Sequence, residues 1–398
     1  MRRMYVLASV AAATSGVGCP HYANVQCIES SNCDLHFGGV CTTAPTGNHW
    51  CAYPDPICPN GYRYSDLDTG DGVSGQCVGA GVDAGVDGLV DATAQPATSC
   101  IALPHTCGAN RNDDCCSSLS VTGGSYFRSY DVADDGNFSD KSAPATISGF
   151  RLDKYEVTVA RFRAFVEQDQ GTQSNPPVVG SGTHPHLPGS GWQATWTQNL
   201  PADKAALIAG LACDAAFQTW TDTPYANENK PMNCLSWYEA AAFCAWDGGF
   251  LPTEAEWNYA AAGGDEQRAY PWSDPARSTS IDSSRGSYSD TTGCIGDGQP
   301  ACTRSDLLDV GSRPAGDGRW GHSDLSGNVY EWVLDWGSPY VAPCMDCANL
   351  ELSTIVHPRV VRGGAFADMP AALRTGARFG NAPGNPNKLM GVRCARAP

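Results

Sequence analysis

Cysteine is the residue type in this sequence best suited to chemistry, because its thiolate is both a nucleophile and a ligand for soft metal ions. The chain has nineteen cysteines, yet none lies between Cys347 and Cys394. That gap includes the stretch RVVRGGAFADMPAALRTGARF at 359–379, which also lacks histidine. The stretch therefore has no side chain for thiol or imidazole chemistry.

The pair Cys344 and Cys347 forms a CxxC motif, which can be a redox centre or part of a metal site. The alternative is a small loop disulfide in an oxidising compartment. No second CxxC motif accompanies the pair, and no strand–helix–strand pattern surrounds it. The sequence therefore favours the loop disulfide.

Carboxylates and histidines are the other candidates for chemistry. Glu254 and Glu256 are two positions apart, but a helix turns such positions to different sides. Thr253 and Glu256 instead fit a capping box, and Glu254 would lie at the positive end of the helix dipole. His184 and His186 lie in a Pro/Gly-rich loop, and a non-haem iron site would need two histidines and a carboxylate that converge. We interpret these residues as structural.

Three segments are predicted to be helices, and they would position the candidate residues described above. The first begins at the N-cap Thr158, the second at a Ser236/Glu239 capping box and the third at Thr253. Gly-Gly pairs end the second and third helices. Short strands are predicted at 121–127, 146–154, 359–366 and 390–396.

The N-terminus predicts export. Residues 1–19 have a basic start, a short apolar run and small residues before Cys19, as in bacterial export signals. They also resemble a lipoprotein signal, in which Cys19 would be acylated, although Gly16 stands where that pattern prefers leucine. We expect a cell-envelope lipoprotein or a secreted bacterial protein. A lipid on Cys19 would be its one attachment to a membrane.

Cysteine spacing divides the remainder of the chain. Residues 20–78 contain six cysteines with little apolar sequence between them, which predicts a small module held by disulfides rather than by zinc. Residues 79–99 are a Gly/Ala/Val/Asp-rich linker. Residues 100–116 form a cysteine-rich collar, and residues 117–398 form one large domain.

Charge limits the partners. The formal net charge is −17 and the pI is about 4.7. Nucleic acids and anionic membrane surfaces bind surfaces rich in Lys and Arg, so neither is expected as a partner.

The large domain carries several motifs in a fixed order. Together they resemble the formylglycine-generating enzyme, or sulfatase-modifying factor, family. The resemblance covers residues 117–398 and implies an α+β domain with a C-type-lectin-like core and little regular secondary structure, here preceded by the small disulfide-rich module. The motifs are GGSYF (123–127), DKYEVTVARFRAFV (153–166), PMNCLSWYEAAAFCAWDGGFLPTEAEWNYAAAGG (231–264), YPW (270–272), DLSGNVYEWVLDW (324–336), RVVRGGAF (359–366) and GVRCA (391–395).

The oxidases of that family use oxygen to convert a sulfatase cysteine into formylglycine, and they hold copper(I) between two thiolates. The resemblance places the family's serine at Ala365, the first thiolate at Asp368 and the second near Leu373. A carboxylate and a leucine do not make a site for a soft ion, so copper is not expected. If the cleft has acquired other chemistry, its candidate catalytic residues are Asp368, Arg374 and Arg378.

The resemblance also implies a calcium ion. Its ligands would be the Asp324 and Glu331 carboxylates and the carbonyl oxygens of Gly327 and Val329. These are hard oxygen donors of the kind that calcium prefers.

Disulfides are expected throughout the large domain. The resemblance implies a bond between Cys244 and Cys394. We expect local bridges in three further pairs: Cys213 with Cys234, Cys294 with Cys302, and Cys344 with Cys347.

The main hypothesis is an exported, calcium-stabilised, non-oxidase module that binds a peptide, a protein or a glycan, or serves as a scaffold. Tryptophans at 192, 196, 220, 320 and 336 could line a binding cleft, although we expect most of them to belong to the core. The alternatives are a formylglycine-generating oxidase that recruits other cysteines, and an enzyme with altered chemistry in the same cleft.

Overall fold

The computed structural model describes residues 27, 40–44, 49–54, 62–65, 78, 97–101, 103–351 and 358–398. The chain divides into two compact units, residues 1–92 and 93–398. The predicted signal with Cys19 and most of the predicted linker lie outside the described residues, so the predictions made for them stay predictions.

The first unit contains a small antiparallel sheet. Its strands are β1 (Val40–Thr43), β2 (His49–Pro54) and β3 (Tyr62–Tyr64), in the order β1-β2-β3. A disulfide joins Cys27 to Cys41, and Trp50 and Tyr64 belong to a small buried cluster. A sheet this small has little apolar area to bury, so covalent links contribute much of its stability.

The second unit mixes short helices with short strands, which confirms the α+β class. Six of its strands and all four described helices precede residue 295. They are β4 (Ser118–Val121), β5 (Gly124–Phe127), β6 (Pro144–Ile147), β7 (Phe150–Asp153), α1 (Val159–Glu167), α2 (Lys204–Leu211), α3 (Trp237–Trp246), α4 (Glu254–Ala261), β8 (Ser289–Asp290) and β9 (Gly293–Cys294).

The remaining strands lie in the last 70 or so residues and complete the sheets. They are β10 (Tyr330–Trp336), β11 (Arg359–Arg362), β12 (Phe379–Asn381), β13 (Met390–Gly391) and β14 (Ala395–Arg396). The larger sheets have the orders β12-β11-β10-β13 and β14-β7-β4, and β5 with β6 and β8 with β9 form two-stranded pairs.

The helix starts follow the predicted caps. Thr158 accepts a hydrogen bond from the Arg161 N–H at the start of α1. Both predicted capping boxes are present, at Ser236 for α3 and at Thr253 for α4. Helix α2 was not predicted, although Asp203 caps it by accepting from the Ala206 N–H.

The predicted strands were too long. Residues 121–127 and 146–154 each contain the end of one strand and the start or whole of another, because the chain turns between them. The strand predicted at 359–366 ends at Arg362, since Gly363 and Gly364 have φ of +94° and +71°, in the left-handed region. Only 390–391 and 395–396 are strands within 390–396.

Strand β10 lies at the centre of its sheet and was missed. It pairs antiparallel with β11 and parallel with β13, and all seven of its residues are buried. A strand buried on both faces shows no alternation of polar and apolar residues, so the period-two signal is absent.

The main core lies where α1 and α3 pack together. Phe162, Phe165 and Phe243 contact one another with ring centroids 5.2–5.6 Å apart. Trp237 on α3 and Trp332 on β10 are fully buried, and each indole N–H donates to a backbone carbonyl, at 2.8 and 2.9 Å. Helix and sheet are thereby fixed to each other by burial and by hydrogen bonds.

Disulfides join the four cysteine pairs named above in the large domain. Cys100 with Cys116 and Cys107 with Cys115 add two more in the collar. The Cys344–Cys347 motif is therefore a closed loop disulfide in this structure. No helix among the described residues is both long and apolar enough to cross a bilayer.

Candidate functional site

The segment after β11 contains the positions at which the family resemblance expects copper ligands. Ala365 is fully buried, and its N–H donates to the Asp368 carboxylate at 3.0 Å. The Asp368 carboxylate also accepts from the Tyr330 hydroxyl, and its backbone carbonyl accepts from the Ser289 N–H at 2.8 Å. Burial raises the pKa of Asp368, and the hydrogen bonds that its carboxylate accepts from Tyr330 and from the Ala365 N–H oppose the rise.

Leu373 lies in a different environment. It is fully buried in an aromatic cluster with Tyr270, Trp272 and Tyr288. Asp368 and Leu373 therefore belong to separate surroundings, and neither carries sulfur. In the parts of the chain that the structure describes, no group of three or more His, Cys, Asp or Glu residues is arranged to hold a metal ion.

The two arginine candidates are held away from Asp368 by ion pairs. Arg374 binds Asp131 at 2.6 Å and Asp135 at 2.8 Å. Arg378 binds Glu254 at 2.6 Å. Across residues 103–351 and 358–398, no hydrogen bond or ion pair joins Asp368 to either arginine. The three candidates are not brought together as one catalytic group.

The predicted calcium ligands lie close together in sequence but are engaged by the protein itself. Glu331 is fully buried and pairs with Arg393 at 2.6 Å, and it also accepts from the Trp257 indole N–H at 2.6 Å. Asp324 accepts from the Gly311 N–H at 2.6 Å. The charge of Glu331 is thus already balanced by the Arg393 guanidinium. A carboxylate paired in this way does not fit the role of a calcium ligand. Calcium stays a prediction, and no chemistry is derived through it.

A buried carboxylate that was not predicted lies beside these residues. Glu156 accepts from the Asn328 side-chain amide at 2.6 Å and from the Val329 N–H at 3.2 Å. Burial raises its pKa well above the ordinary value, and the nearby Asp324 and Glu331 raise it further. Its motif was quoted in the resemblance, but an acid before a helix N-cap carries no burial signal of its own.

The candidate binding site is a cleft of about 570 Å³ between the loop at 189–199 and strands β10 and β11. We call it the aromatic cleft. Trp196, Tyr238 and Trp336 line it, and Leu334 and Leu350 add apolar surface. Its neutral polar lining includes Ser190, Gln193, Thr195, Gln198 and Asn199, and Arg359 completes it.

Two of the five predicted cleft tryptophans line the aromatic cleft, and three do not. Trp196 and Trp336 lie on it. Trp192 and Trp220 are buried in the main core, and Trp320 stacks on Tyr259 elsewhere. This agrees with the expectation that most of the five belong to the core, because large aromatic side chains more often fill a core than line a surface.

Arg359 is the cleft residue that sequence reasoning missed. Its motif was noted only as part of the family pattern. A signal was nonetheless present, because an arginine inside a predicted strand of valines needs a partner if the strand is buried, and no acid stands near it in sequence.

Residues 105–398 match the family model described as the sulfatase-modifying factor enzyme 1-like domain. The chain belongs to this family. The formylglycine-generating enzyme of Streptomyces coelicolor is 31% identical over 294 residues, which are 68% of this chain and 87% of that protein.

This sulfatase-modifying-factor domain also has relatives with other names. The inactive C-alpha-formylglycine-generating enzyme 2 of Bos taurus is 26% identical over 290 residues, covering 70% of this chain and 87% of that protein. Among solved structures, PvdO from Pseudomonas aeruginosa matches 71% of this chain and 94% of its own, with 22% identity and a TM-score of 0.48. The family thus includes proteins named as enzymes and proteins named as inactive.

Proposed function

We propose that this domain is a non-oxidase binding module of the sulfatase-modifying factor family, and that the aromatic cleft is its ligand site. The observation that carries the proposal is the pair Asp368 and Leu373 at the positions where the resemblance expects thiolates. Copper(I) favours sulfur ligands, and neither side chain supplies one.

The cysteines elsewhere do not replace the missing pair. Every cysteine among the described residues is already in a disulfide, and a disulfide has no thiolate to offer a metal. This supports a role that does not depend on thiol chemistry.

The cleft supports binding as the remaining role. Its volume falls within the range typical of small-molecule sites, and its lining combines aromatic faces with a few neutral polar groups. An enzyme with altered chemistry is the second candidate, but Asp368, Arg374 and Arg378 make no common cluster that would favour it.

An aldehyde assay tests the non-oxidase proposal. The folded, disulfide-intact protein is incubated with copper(I), oxygen and a sulfatase-derived cysteine peptide, and formylglycine is followed by mass spectrometry. The Streptomyces coelicolor enzyme serves as the positive control. We expect no aldehyde above the peptide-only background. Turnover of the peptide would overturn the proposal.

Export and calcium stabilisation are separate parts of the proposal. The disulfides support export, because such bonds persist in oxidising compartments. Calcium has only the family resemblance behind it, since Arg393 already neutralises Glu331. Calorimetric titration of calcium into chelator-treated protein decides the matter. A binding heat would support a calcium site, and an ion held by Glu331 would have to displace Arg393. The absence of any heat would overturn this part of the proposal.

A further inference from the structure

The floor of the aromatic cleft contains an arginine that lies close to two indole rings. Arg359 is the first residue of β11 and is only 2% exposed. Its guanidinium carbon lies 3.7 Å from the Trp237 ring centroid and 3.8 Å from that of Trp336. Two cation–π contacts at this distance cover much of the guanidinium, so another molecule can bind it only through the N–H groups that remain.

Those N–H groups are not all used. Nη1 donates to the Leu334 carbonyl oxygen at 2.5 Å. Nε has no hydrogen-bond partner and is itself shut off from solvent. Nη2 makes no hydrogen bond with the described residues and is not shut off in this way, so it is the nitrogen that a ligand in the cleft can reach. Over the described ranges, no carboxylate forms an ion pair with Arg359. A buried cation with an unused donor is costly, and an anion supplied from outside would relieve that cost.

Other buried arginines in the same domain have their partners within the chain. Arg161, Arg362 and Arg393 each pair with a buried carboxylate. Arg128 has no carboxylate, but all three of its guanidinium nitrogens donate to acceptors of the protein. Arg359 therefore differs from them in having both a missing counter-charge and an unused donor.

The charge of Arg359 is itself disfavoured in this state. Burial lowers the pKa of Arg359 to about 9, with only weak opposing effects from Tyr238 and Asp335. A bound anion would stabilise the charged guanidinium and so raise the pKa of Arg359 again, in agreement with the geometry.

The lining of the cleft suits an anion despite the acidity of the chain. Arg359 is the one charged side chain among the described lining residues, and no carboxylate lines the cleft although the net charge is −17. A negatively charged ligand is thus repelled by the surface in general and accepted at this place.

The rest of the lining indicates what the anion is attached to. Trp196, Tyr238 and Trp336 offer aromatic surfaces for the apolar face of a ring. Gln193, Gln198 and Asn199 add neutral amides. Gln193 donates both of its amide N–H groups to the Gly189 and Gly191 carbonyls, so it offers only its oxygen as an acceptor, whereas Gln198 and Asn199 can both donate to and accept from hydroxyl groups. Ring faces with many hydroxyls are the chemistry of a saccharide.

We propose that the aromatic cleft binds a carboxylate-bearing saccharide, such as a uronic acid unit, with the carboxylate on the in-plane edge of Arg359. The sugar ring lies against the exposed indole and phenol surfaces, and the amides pair with its hydroxyls. This inference rests on the proposed binding function and narrows it to one ligand class.

A matched pair of probes tests the charge requirement. Calorimetry compares trigalacturonate with the neutral α-1,4-galactotriose on the full chain. A carboxylate on a guanidinium edge predicts an affinity about tenfold higher for the uronate. Equal affinities, or no binding of either probe, would overturn the proposal.

Variants of Arg359 and Trp196 test whether the preference for the charged sugar comes from Arg359. In Arg359→Gln, uronate affinity should fall about tenfold and neutral affinity should stay within about twofold. If that variant does not fold, Arg359→Lys keeps the charge but loses the planar fork, and should give a smaller loss with the uronate alone. Trp196→Ala, at a half-buried position, should weaken both probes alike. A charge preference that survives in folded Arg359→Gln contradicts the assignment.

The outcomes separate this inference from the function on which it rests. Equal binding of both sugars removes the acidic ligand and leaves a binding module. Binding of a peptide carboxylate in place of either sugar removes the saccharide. Aldehyde formation in the peptide assay overturns the non-oxidase function whatever the sugars do.

Discussion

At Glu254, one buried carboxylate holds two guanidinium groups. Arg378 binds it through two nitrogens, at 2.6 and 2.8 Å, and Arg362 contacts it from β11. Burial by itself raises the pKa of Glu254, but Arg362 and Arg378 outweigh burial and hold it below the ordinary value. The sequence interpretation, which assigned Glu254 to the helix dipole, was incomplete, because both partners lie more than a hundred residues away.

Glu254→Gln should therefore destabilise the fold strongly. It leaves the fully buried Arg362 without its counter-charge, for which a loss of about 3–5 kcal/mol in the free energy of unfolding is typical. Urea denaturation measures the loss. Glu266→Gln is the matched control, because its pairs with Arg268 and Arg319 are partly exposed and should contribute about 1 kcal/mol or less. Similar losses in the two variants would contradict this account.

The stability that Asp335 contributes should depend on pH with the opposite sign to that of Glu254, because the pKa of Asp335 is raised and that of Glu254 is lowered. Burial and the nearby Glu254 raise the pKa of Asp335 to about 6, against its ordinary value of 3.8. Between these values the folded protein takes up a proton that the unfolded chain does not. The contribution of Asp335 to stability therefore grows as pH falls from about 6 towards 4, and is lost as pH rises through 6.

Asp335→Asn isolates that contribution. The amide cannot titrate, so the free energy of unfolding of the unaltered protein should rise relative to that of the variant as pH falls from 6 to 4. The variant also loses one acceptor for the backbone N–H groups of Glu254 and Asn349, but that cost does not depend on pH. Denaturant titrations at several pH values give the two slopes. If the slopes coincide, the assignment to Asp335 is wrong.

At the scale of elements, the sequence predicted what is local and missed what is distant. Capping boxes place their two partners three residues apart, so Ser236 and Thr253 identified the starts of α3 and α4. Strand β10 pairs with segments some 30 and 60 residues later, and nothing in its own composition reveals them. The same reasoning explains why the aromatic cleft was not predicted from the sequence, because its loop and its strands are far apart in the chain.

The disulfide between Cys244 and Cys394 connects the end of α3 to the last strands across 150 residues of chain. In the chain-entropy model, closing a loop of that length contributes about 5 kcal/mol, against about 2.5 kcal/mol for the eight-residue Cys294–Cys302 loop. Replacing both cysteines of the first pair by alanine should thus lower the unfolding free energy more than the same change in the second. Guanidinium denaturation compares them. An equal or reversed order would show that strain or residual structure dominates.

For the whole molecule, the cysteine count bears on the export that we propose. If Cys19 is either acylated or removed with the signal, eighteen cysteines remain to pair, since the sequence has nineteen. Those that the structure describes are all disulfide-bonded.

Thiol titration of the mature, denatured protein should therefore find less than one free thiol for each chain. Mass spectrometry of the N-terminal peptide shows whether Cys19 is present and carries lipid. The same protein after full reduction is the control, and should show all its thiols. Two or more free thiols in the unreduced sample would contradict complete pairing.

The arginine close to Trp237 and Trp336 has an optical consequence. Indole emission depends on the polarity and the charge around the ring, so an occupant that neutralises Arg359 or displaces water from Trp196 should shift the intrinsic fluorescence. The signal will be small against the emission of eleven tryptophans in all. It needs no label, and lets unmodified protein be screened against ligand collections in solution.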